Sequence, residues 1–262
     1  MSAPRPLSET AIVLVHGAWH GGWCWQRVLP LLQGAGVRVH AVTLTGCGER
    51  AHLLSPDIDL STHIRDVIGL IEAEELQRVV LVGHSYAGMV ITGVADRLQR
   101  ERPGLLARLV YLDASVPLPG ESWSSAHPEE TRRSRITAAL ASGGLSLPAP
   151  DASAFGLEGA DREWVNRRQT PQPFKVYQQP LPFDAARVAA VPRTFIDCHR
   201  PALPTIDVSR RRVRAETDWQ VLEMARATTP WSAHHASWHN CCWPSTTSQA
   251  GLDTPRPLAR VR

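Results

Sequence analysis

Short apolar runs alternate with amphipathic stretches along most of the chain. Residues 11–15 and 79–82 are uninterrupted runs of mostly branched apolar side chains, which predict strands buried on both faces. After the second run, Met89, Val90 and Val94 recur at helical spacing. The predicted elements are strands at 11–15, 37–43, 78–83, 107–112, 193–198 and 220–225, and helices near 24–35, 61–74, 87–100 and 205–215. This alternation predicts an α/β fold with a mostly parallel sheet flanked by helices.

The alternation is interrupted at residues 116–185. This stretch is rich in Pro, Gly and Ser and carries scattered aromatic residues. We interpret it as a small cap insertion that lines a ligand pocket; a flexible insertion without contact to substrate is the alternative. The chain then divides into an α/β core at 1–115, the cap at 116–185, the rest of the core at 186–225 and an irregular tail at 226–262.

The turn after the strand at 78–83 carries the most specific chemical signal. It reads Gly-His-Ser-Tyr-Ala-Gly from residue 83, and a helical pattern follows at once. A strand, a sharp turn of small residues, a serine and a helix form a nucleophile elbow, which exposes the serine hydroxyl at the top of a sheet. The positive end of the helix favours an anionic intermediate there. Ser85 is therefore the candidate nucleophile.

A second loop supplies the other half of an acyl-transfer site. The strand at 11–15 ends in His-Gly-Ala-Trp-His-Gly-Gly-Trp, a glycine-rich run that also introduces the next helix. One backbone N–H of such a loop joins the N–H after the nucleophile in holding an oxyanion. We assign these two donors to Ala18 and Tyr86. The candidate pocket residues are Gly17, Trp19, His84 and Trp123.

Four motifs together resemble the α/β-hydrolase superfamily. They lie at 16–25, 43–50 (Thr-Leu-Thr-Gly-Cys-Gly-Glu-Arg), 83–90 and 109–114 (Leu-Val-Tyr-Leu-Asp-Ala). Within the superfamily, residues 11–225 are similar to the branch of bacterial EstC-type esterases, plant methyl esterases and hydroxynitrile lyases. The resemblance implies a Ser–His–Asp triad, a small-molecule ester substrate, a small cap and no cofactor.

The triad acid has two candidates. Relatives in this branch carry an Asp shortly after the strand that corresponds to 193–198, whereas this chain has His-Arg-Pro-Ala-Leu-Pro there. Asp113 ends the preceding strand, on the same edge of the sheet as Ser85, and some α/β-hydrolases take their acid from that strand. We favour Asp113, with a purely structural role beneath the cap as its alternative. Asp207 is the second candidate, although helix capping explains it more simply.

The catalytic histidine that the resemblance implies is missing after the strand at 220–225. Relatives have a pattern such as Thr-Gly-His-Asp-Pro-Met, and this chain has Arg-Ala-Thr-Thr-Pro-Trp at 226–231. A back-translation shifted by one base restores that pattern and an apolar-periodic helix after it. We hypothesise a frame-shifted tail after about Ala225, with Thr228 where the base belongs. The alternative is that His234 or His235 folds back as the base.

Composition and charge bear on the partners, the location and the metal content that we expect. A net charge of +3 gives no reason to expect a nucleic-acid partner, and no apolar stretch approaches the length of a membrane span. The first ten residues lack a signal-peptide core, so we expect a cytoplasmic protein. The adjacent His and Cys pairs of the tail lack zinc-site spacing, so no metal site is expected. We interpret residues 210–212, three arginines, as a solvated helix face.

The sequence as a whole predicts a serine carboxylesterase that acts on small esters through an acyl-enzyme. Loss of the histidine impairs it, because a serine hydroxyl without a base is a poor nucleophile. A hydroxynitrile lyase is one alternative, but such relatives carry a Thr at the position of Gly17 and a Lys after the histidine. A catalytically inactive binder of small ligands is the other. Substrate identity and oligomeric state stay open.

Overall fold

The computed structural model describes residues 10–225 and residue 228. Its strands, in chain order, are β1 (Ala11–Val15), β2 (Arg38–Val42), β3 (Val79–His84), β4 (Leu106–Leu112), β5 (Ser146–Leu147), β6 (Gln172–Pro173), β7 (Arg193–Cys198) and β8 (Trp219–Met224). Six of them form one sheet in the order β2-β1-β3-β4-β7-β8, and every neighbouring pair is parallel. β5 and β6 form a separate antiparallel pair. The predicted α/β fold with a mostly parallel sheet is confirmed.

Helices connect the strands and cover both faces of the sheet. They are α1 (Leu29–Gly34), α2 (Leu60–Ala73), α3 (Ala87–Glu101), α4 (Glu129–Ala141), α5 (Gly159–Asn166), α6 (Lys175–Gln178), α7 (Ala185–Ala189) and α8 (Asp207–Ala215). Short 3₁₀ helices lie at Gly22–Trp25, Gly48–Leu53, Trp123–Ala126, Ala152–Phe155 and Pro204–Ile206. None of the helices between residues 10 and 225 combines the length and the apolar character that a membrane crossing requires.

The centre of the sheet follows directly from the apolar runs. β1 and β3 are buried at every position, and they pair in register from Ala11 opposite Val79 to Val15 opposite Gly83. Alternate side chains of these strands enter two apolar clusters, one on each face of the sheet. A strand buried on both faces needs such a run, whereas the edge strand β2 has exposed positions. The sequence pattern therefore places the site-bearing strands at the centre.

The helix predicted near 24–35 is wrong in its extent. The structure has a 3₁₀ helix at Gly22–Trp25 and then the short helix α1, which begins at Leu29. Pro30 lies in the first turn of α1, where its missing N–H costs no hydrogen bond. Proline therefore starts a new helix here instead of continuing the previous turn.

The segment 116–185 lies against the loop that follows β1. The backbone N–H of Trp19 donates to Gln172 Oε1 at 3.0 Å, and its indole N–H donates to the Leu147 carbonyl at 3.2 Å. Trp123 and Tyr177 of the segment join the apolar cluster that also contains Trp19. The segment is thus packed onto the carboxyl edge of the sheet, where the candidate site lies.

Candidate active site

Ser85 lies on a strained turn between β3 and α3. Its φ angle is +52°, a left-handed conformation that is uncommon for a residue with a side chain. Three backbone hydrogen bonds hold it: Ser85 donates to the Leu112 carbonyl at 3.2 Å, and its own carbonyl accepts from Gly88 at 3.1 Å and Ser115 at 3.0 Å. The side chain is half-buried and not sealed into the core. Strand, left-handed serine and helix thus follow one another in the order that the sequence predicts.

Two glycines allow the backbone to close around this turn. A Cβ on Gly88 would lie 1.9 Å from the Ser115 carbonyl oxygen, so only glycine fits. A Cβ on Gly17 would lie 2.5 Å from Nδ1 of His84 and 3.1 Å from the Cβ of Ser85. The loop after β1 therefore approaches the elbow to within contact distance, as the sequence predicts for Gly17.

The two predicted oxyanion donors directly follow the residues that come close together here: Ala18 follows Gly17, and Tyr86 follows Ser85. Ala18 and Tyr86 are both buried, and no acceptor within residues 10–225 pairs with the backbone N–H of either. The neighbouring amide of Trp19 is engaged, since it donates to Gln172. Trp19 has a φ of +66°, which turns the chain immediately after Ala18. Among the described residues, the amides of Ala18 and Tyr86 are therefore unpaired, whereas that of Trp19 is bound by Gln172, a residue that the sequence did not identify.

A buried histidine anchors the side chain of Tyr86. Nε2 of His63 lies 2.9 Å from the Thr45 carbonyl, which can only accept, so Nε2 carries the hydrogen. The other ring nitrogen, 2.9 Å away from the Tyr86 hydroxyl, therefore accepts from it. Burial lowers the pKa of His63 and keeps the ring neutral. Asp66 in turn accepts from the backbone and hydroxyl of Thr45, each at 2.7 Å.

Asp113 follows β4 and is completely buried beside the elbow. Its φ is +41°, and its backbone N–H donates to the Ile196 carbonyl at 2.8 Å. One carboxylate oxygen, Oδ1, accepts from Arg210 at 2.6 Å. The other, Oδ2, has no hydrogen-bond partner among the residues that the structure describes. Burial raises the pKa of Asp113 to about 6, against the lowering effect of Arg210.

Arg210 joins three carboxylates. Besides Asp113, it donates to Asp197 at 2.7 Å and to Asp207 at 2.8 Å. Its side chain is 8% exposed. The interpretation of the arginine run as a solvated helix face is therefore wrong at this position, because a charge this deeply buried is retained only where carboxylates pair with it.

The second acid candidate, Asp207, lies in a different environment. Its side chain is 52% exposed and pairs with Arg210, three residues further along α8. It opens α8 as the first helical residue, and it makes no side-chain capping bond. Of the two candidates, only Asp113 is buried next to the elbow.

Thr228 lies where the hypothesis of a shifted frame puts the lost histidine. It is 2% exposed, and its carbonyl accepts from Nε2 of His84 at 2.8 Å. Its hydroxyl lies near enough to Asp113 to lower the pKa of that carboxyl, although the contact does not meet hydrogen-bond geometry. Thr228 thus touches both the candidate acid and the residue that precedes the nucleophile. His234 and His235, the alternative bases, lie outside the described residues.

His84 is neutral in this arrangement. Burial lowers its pKa well below the ordinary value, and nearby His20 adds to the effect. Because the Thr228 carbonyl can only accept, Nε2 of His84 carries the hydrogen and donates it.

Aromatic side chains form the wall next to the oxyanion donors. The ring of Trp123 lies 4.9 Å from that of Tyr86 and 5.9 Å from that of Trp19. Tyr177 packs edge-on against Trp123 at 5.0 Å. The structure therefore brings the predicted pocket residues together. Within residues 10–225, no group of His, Cys, Asp and Glu is arranged to hold a metal ion.

Comparison with known proteins identifies the family. A family model described as the alpha/beta hydrolase family matches residues 12–242. The chain belongs to the alpha/beta hydrolase family. This alpha/beta hydrolase is 47% identical over 193 residues to a carbendazim-hydrolysing esterase from Nocardioides sp. (strain SG-4G), which is 70% of this chain and 78% of that protein.

Two further similarities extend over more of the hydrolase. Methylesterase 3 of Arabidopsis thaliana is 26% identical over 243 residues, 82% of this chain and 88% of that protein. The solved structure of an extracellular alpha/beta-hydrolase from a Paenibacillus species superposes with a TM-score of 0.73 at 21% identity, over 85% of this chain and 90% of that one. The structural similarity shows the fold, and the named relatives are esterases.

Proposed function

We propose that this chain is the scaffold of a serine carboxylesterase for small carboxylic esters. The observation that carries the proposal is the strained Ser85 facing a loop whose Ala18 amide, like that of Tyr86, has no acceptor within residues 10–225. Backbone N–H groups aimed at a developing oxyanion are the largest electrostatic contribution in acyl transfer. The similarity to a carbendazim-hydrolysing esterase and to a methylesterase supports ester substrates.

The proposed reaction passes through an acyl-enzyme. In a version with the restored reading frame, the histidine that replaces Thr228 takes the Ser85 proton while the oxygen attacks the ester carbonyl, and the two amides hold the resulting oxyanion. The imidazolium then protonates the leaving alcohol, and the acyl group stays on Ser85. Water, deprotonated by the same histidine, releases the acid and restores the serine.

Asp113 is proposed as the acid that orients this histidine. Arg210 occupies Oδ1, which leaves Oδ2 for the N–H of an imidazole at position 228. A carboxylate in this role fixes the tautomer and stabilises the imidazolium. The arrangement favours Asp113 over the exposed Asp207.

The chain as it stands is proposed to be catalytically impaired. The Thr228 hydroxyl cannot accept a proton at neutral pH, so it does not replace an imidazole. Loss of the base from such a triad costs up to about 10⁶-fold in turnover, and what is left comes from the oxyanion donors and binding. We propose that a shifted reading frame after about residue 225 accounts for the loss.

The segment 116–185 is proposed as the cap of the site. Its Trp123 and Tyr177 form an aromatic wall against Trp19 and Tyr86. Such a wall suits an apolar acyl or alcohol group. The same wall, together with Thr228 in place of a base, favours a second candidate function: binding of small esters without turnover.

Labelling of Ser85 by a fluorophosphonate tests the proposal. The probe is incubated with the chain as it stands and with a version that has the restored reading frame after residue 225. Ser85→Ala in each of the two is treated in the same way. We expect at least about 100-fold faster labelling in the restored version, because only a serine with a base reacts rapidly. Peptide mapping must locate the label on Ser85.

Equal labelling rates in both versions would contradict the loss of the base. Labelling that persists in Ser85→Ala would contradict the choice of nucleophile. Ligand-induced stabilisation without labelling in the restored version would favour the second candidate, the binder.

A further inference from the structure

Arg135 places a positive charge among the aromatic rings of the segment 116–185. Its guanidinium carbon lies 5.2 Å from the ring centre of Trp19, 5.1 Å from that of Trp123 and 5.6 Å from that of Tyr177. A guanidinium at these distances from aromatic faces is stabilised by the negative potential of the rings. The three rings thus hold a cation in one position.

The two polar side chains beside this guanidinium, His127 and Tyr177, are neutral. Nη1 of Arg135 lies 3.2 Å from Nδ1 of His127, which must accept because arginine can only donate. Burial, and next the charge of Arg135, lower the pKa of His127 to about 3. The imidazole therefore carries no charge near neutral pH and leaves the positive charge of Arg135 as it is.

The carboxylates that the structure describes do not compensate the charge of Arg135. Within residues 10–225, no Asp or Glu forms an ion pair with it. By contrast, the half-buried Arg212 pairs with Glu121 at 2.6 Å. On α4, the helix that carries Arg135, Arg132 pairs with Glu129. A partly buried cation without a counter-ion is unfavourable, and binding of an anion removes that cost.

The same rings connect this charge to the proposed oxyanion site. Trp19 directly follows Ala18 in the chain, and Trp123 packs on the ring of Tyr86 at 4.9 Å. Trp19 and Trp123 each contact Arg135 as well, so the same two rings lie beside both the proposed oxyanion donors and the guanidinium. The guanidinium has the planar donor geometry that suits a carboxylate.

We propose that Arg135 is a specificity-determining residue that binds a carboxylate at the far end of the ester. The substrate class is then an anionic ester, such as the half-ester of a dicarboxylic acid. This inference rests on the proposed ester site and adds a second, charged subsite to it. If Arg135 instead only fastens the cap by its contacts with the rings, it contributes stability and no preference for charge.

Calorimetric titration separates these two roles. The chain as it stands is titrated with monomethyl succinate, adipate and suberate, and with the corresponding dimethyl esters. We expect at least one half-ester to bind about 10-fold or more tightly than its dimethyl counterpart, as for a hydrogen-bonded charge. Arg135→Met should abolish this preference and leave the affinity for the dimethyl ester within about threefold.

Arg133→Met is the matched control, since Arg133 is exposed on the same helix and the substitution removes the same charge. It should keep the preference. Equal affinity for half-ester and diester in the unsubstituted chain would overturn the inference, whether or not Arg135→Met folds. A preference that persists in Arg135→Met would overturn it as well, because the carboxylate would then bind elsewhere, for example at the amides of Ala18 and Tyr86.

The titration also distinguishes this inference from the proposed function. Binding of both ester types with equal affinity leaves the ester site intact and removes only the role of Arg135. Failure of every ester to bind at millimolar concentration would overturn both.

Discussion

The nucleophile side of the site and its acid–base side are built in different ways. The proposed nucleophile side consists of two short chain segments, 16–22 and 83–88, which approach each other closely at Gly17, and backbone hydrogen bonds to Leu112 and Ser115 hold Ser85 in its turn. The acid–base side depends on side chains far apart in sequence: Asp113, Arg210 and Thr228. The described residues include every group that we propose for the first side, whereas the second has a threonine at the position proposed for a base.

This difference shows which part of the proposed site does not depend on the sequence after β8. The elbow and the oxyanion loop depend on β1, β3 and β4, all of which precede residue 113. The position proposed for the base, 228, follows β8. A change confined to that region can therefore remove proton transfer without disturbing the nucleophile.

The largest expected effect tests the assignment of the acid. In the version with the restored frame, Asp113→Asn should lower kcat by about 10⁴-fold, because the amide holds the imidazole in the wrong tautomer. Asp207→Asn, a matched change in the exposed carboxylate, should lower kcat by less than about threefold. Hydrolysis of p-nitrophenyl acetate gives both values, and the reverse order of the two effects would assign the acid to Asp207.

The next effect tests the backbone fit of the nucleophile side. Gly88→Ala should reduce the free energy of unfolding by about 3 kcal/mol, because the new methyl group meets the Ser115 carbonyl. Gly69→Ala is the control: Gly69 is exposed within α2 and has open space around its Cα, so alanine should stabilise by about 0.5–1 kcal/mol. Urea unfolding of both variants measures these values, and a loss below 1 kcal/mol in Gly88→Ala would show that the turn can relax.

The smallest expected effect is a pH dependence of stability that is due to Asp113. Because folding raises the pKa of Asp113 from 3.8 to about 6, the folded state binds its proton more tightly than the unfolded state. The stabilisation that protonated Asp113 gives to the folded state is therefore fully present below pH 4 and is lost as the pH rises through 6. We expect the stability of the chain relative to Asp113→Asn to fall by about 2 kcal/mol between pH 4 and pH 7. A pH-independent difference would mean that Asp113 titrates normally in the fold.

Local sequence patterns predicted the fold around the proposed nucleophile side. The apolar runs predicted the sheet, and the glycine-rich loop at Gly17 and the small residues around Ser85 marked two places where the backbone turns. Both features depend on residues that are close in sequence. The extent of the first helix was the exception, since Pro30 begins a helix of its own.

The supporting contacts could not be predicted in the same way. Gln172 bonds to Trp19 across 153 positions, and Arg210 bonds to Asp113 across 97. His63 contacts Tyr86 only because α2 packs beside α3. No spacing or composition marks such pairs, and an arginine that enters the core looks in the sequence like one that faces water.

The two hydrogen bonds of Trp19 have a consequence for ligand entry. They tie the segment 116–185, through Leu147 and Gln172, to the residue directly after Ala18. A ligand that reaches the proposed site by displacing this segment must stretch or break both bonds to Trp19, the residue that follows the proposed donor Ala18. The segment and the loop after β1 are therefore coupled in any such displacement.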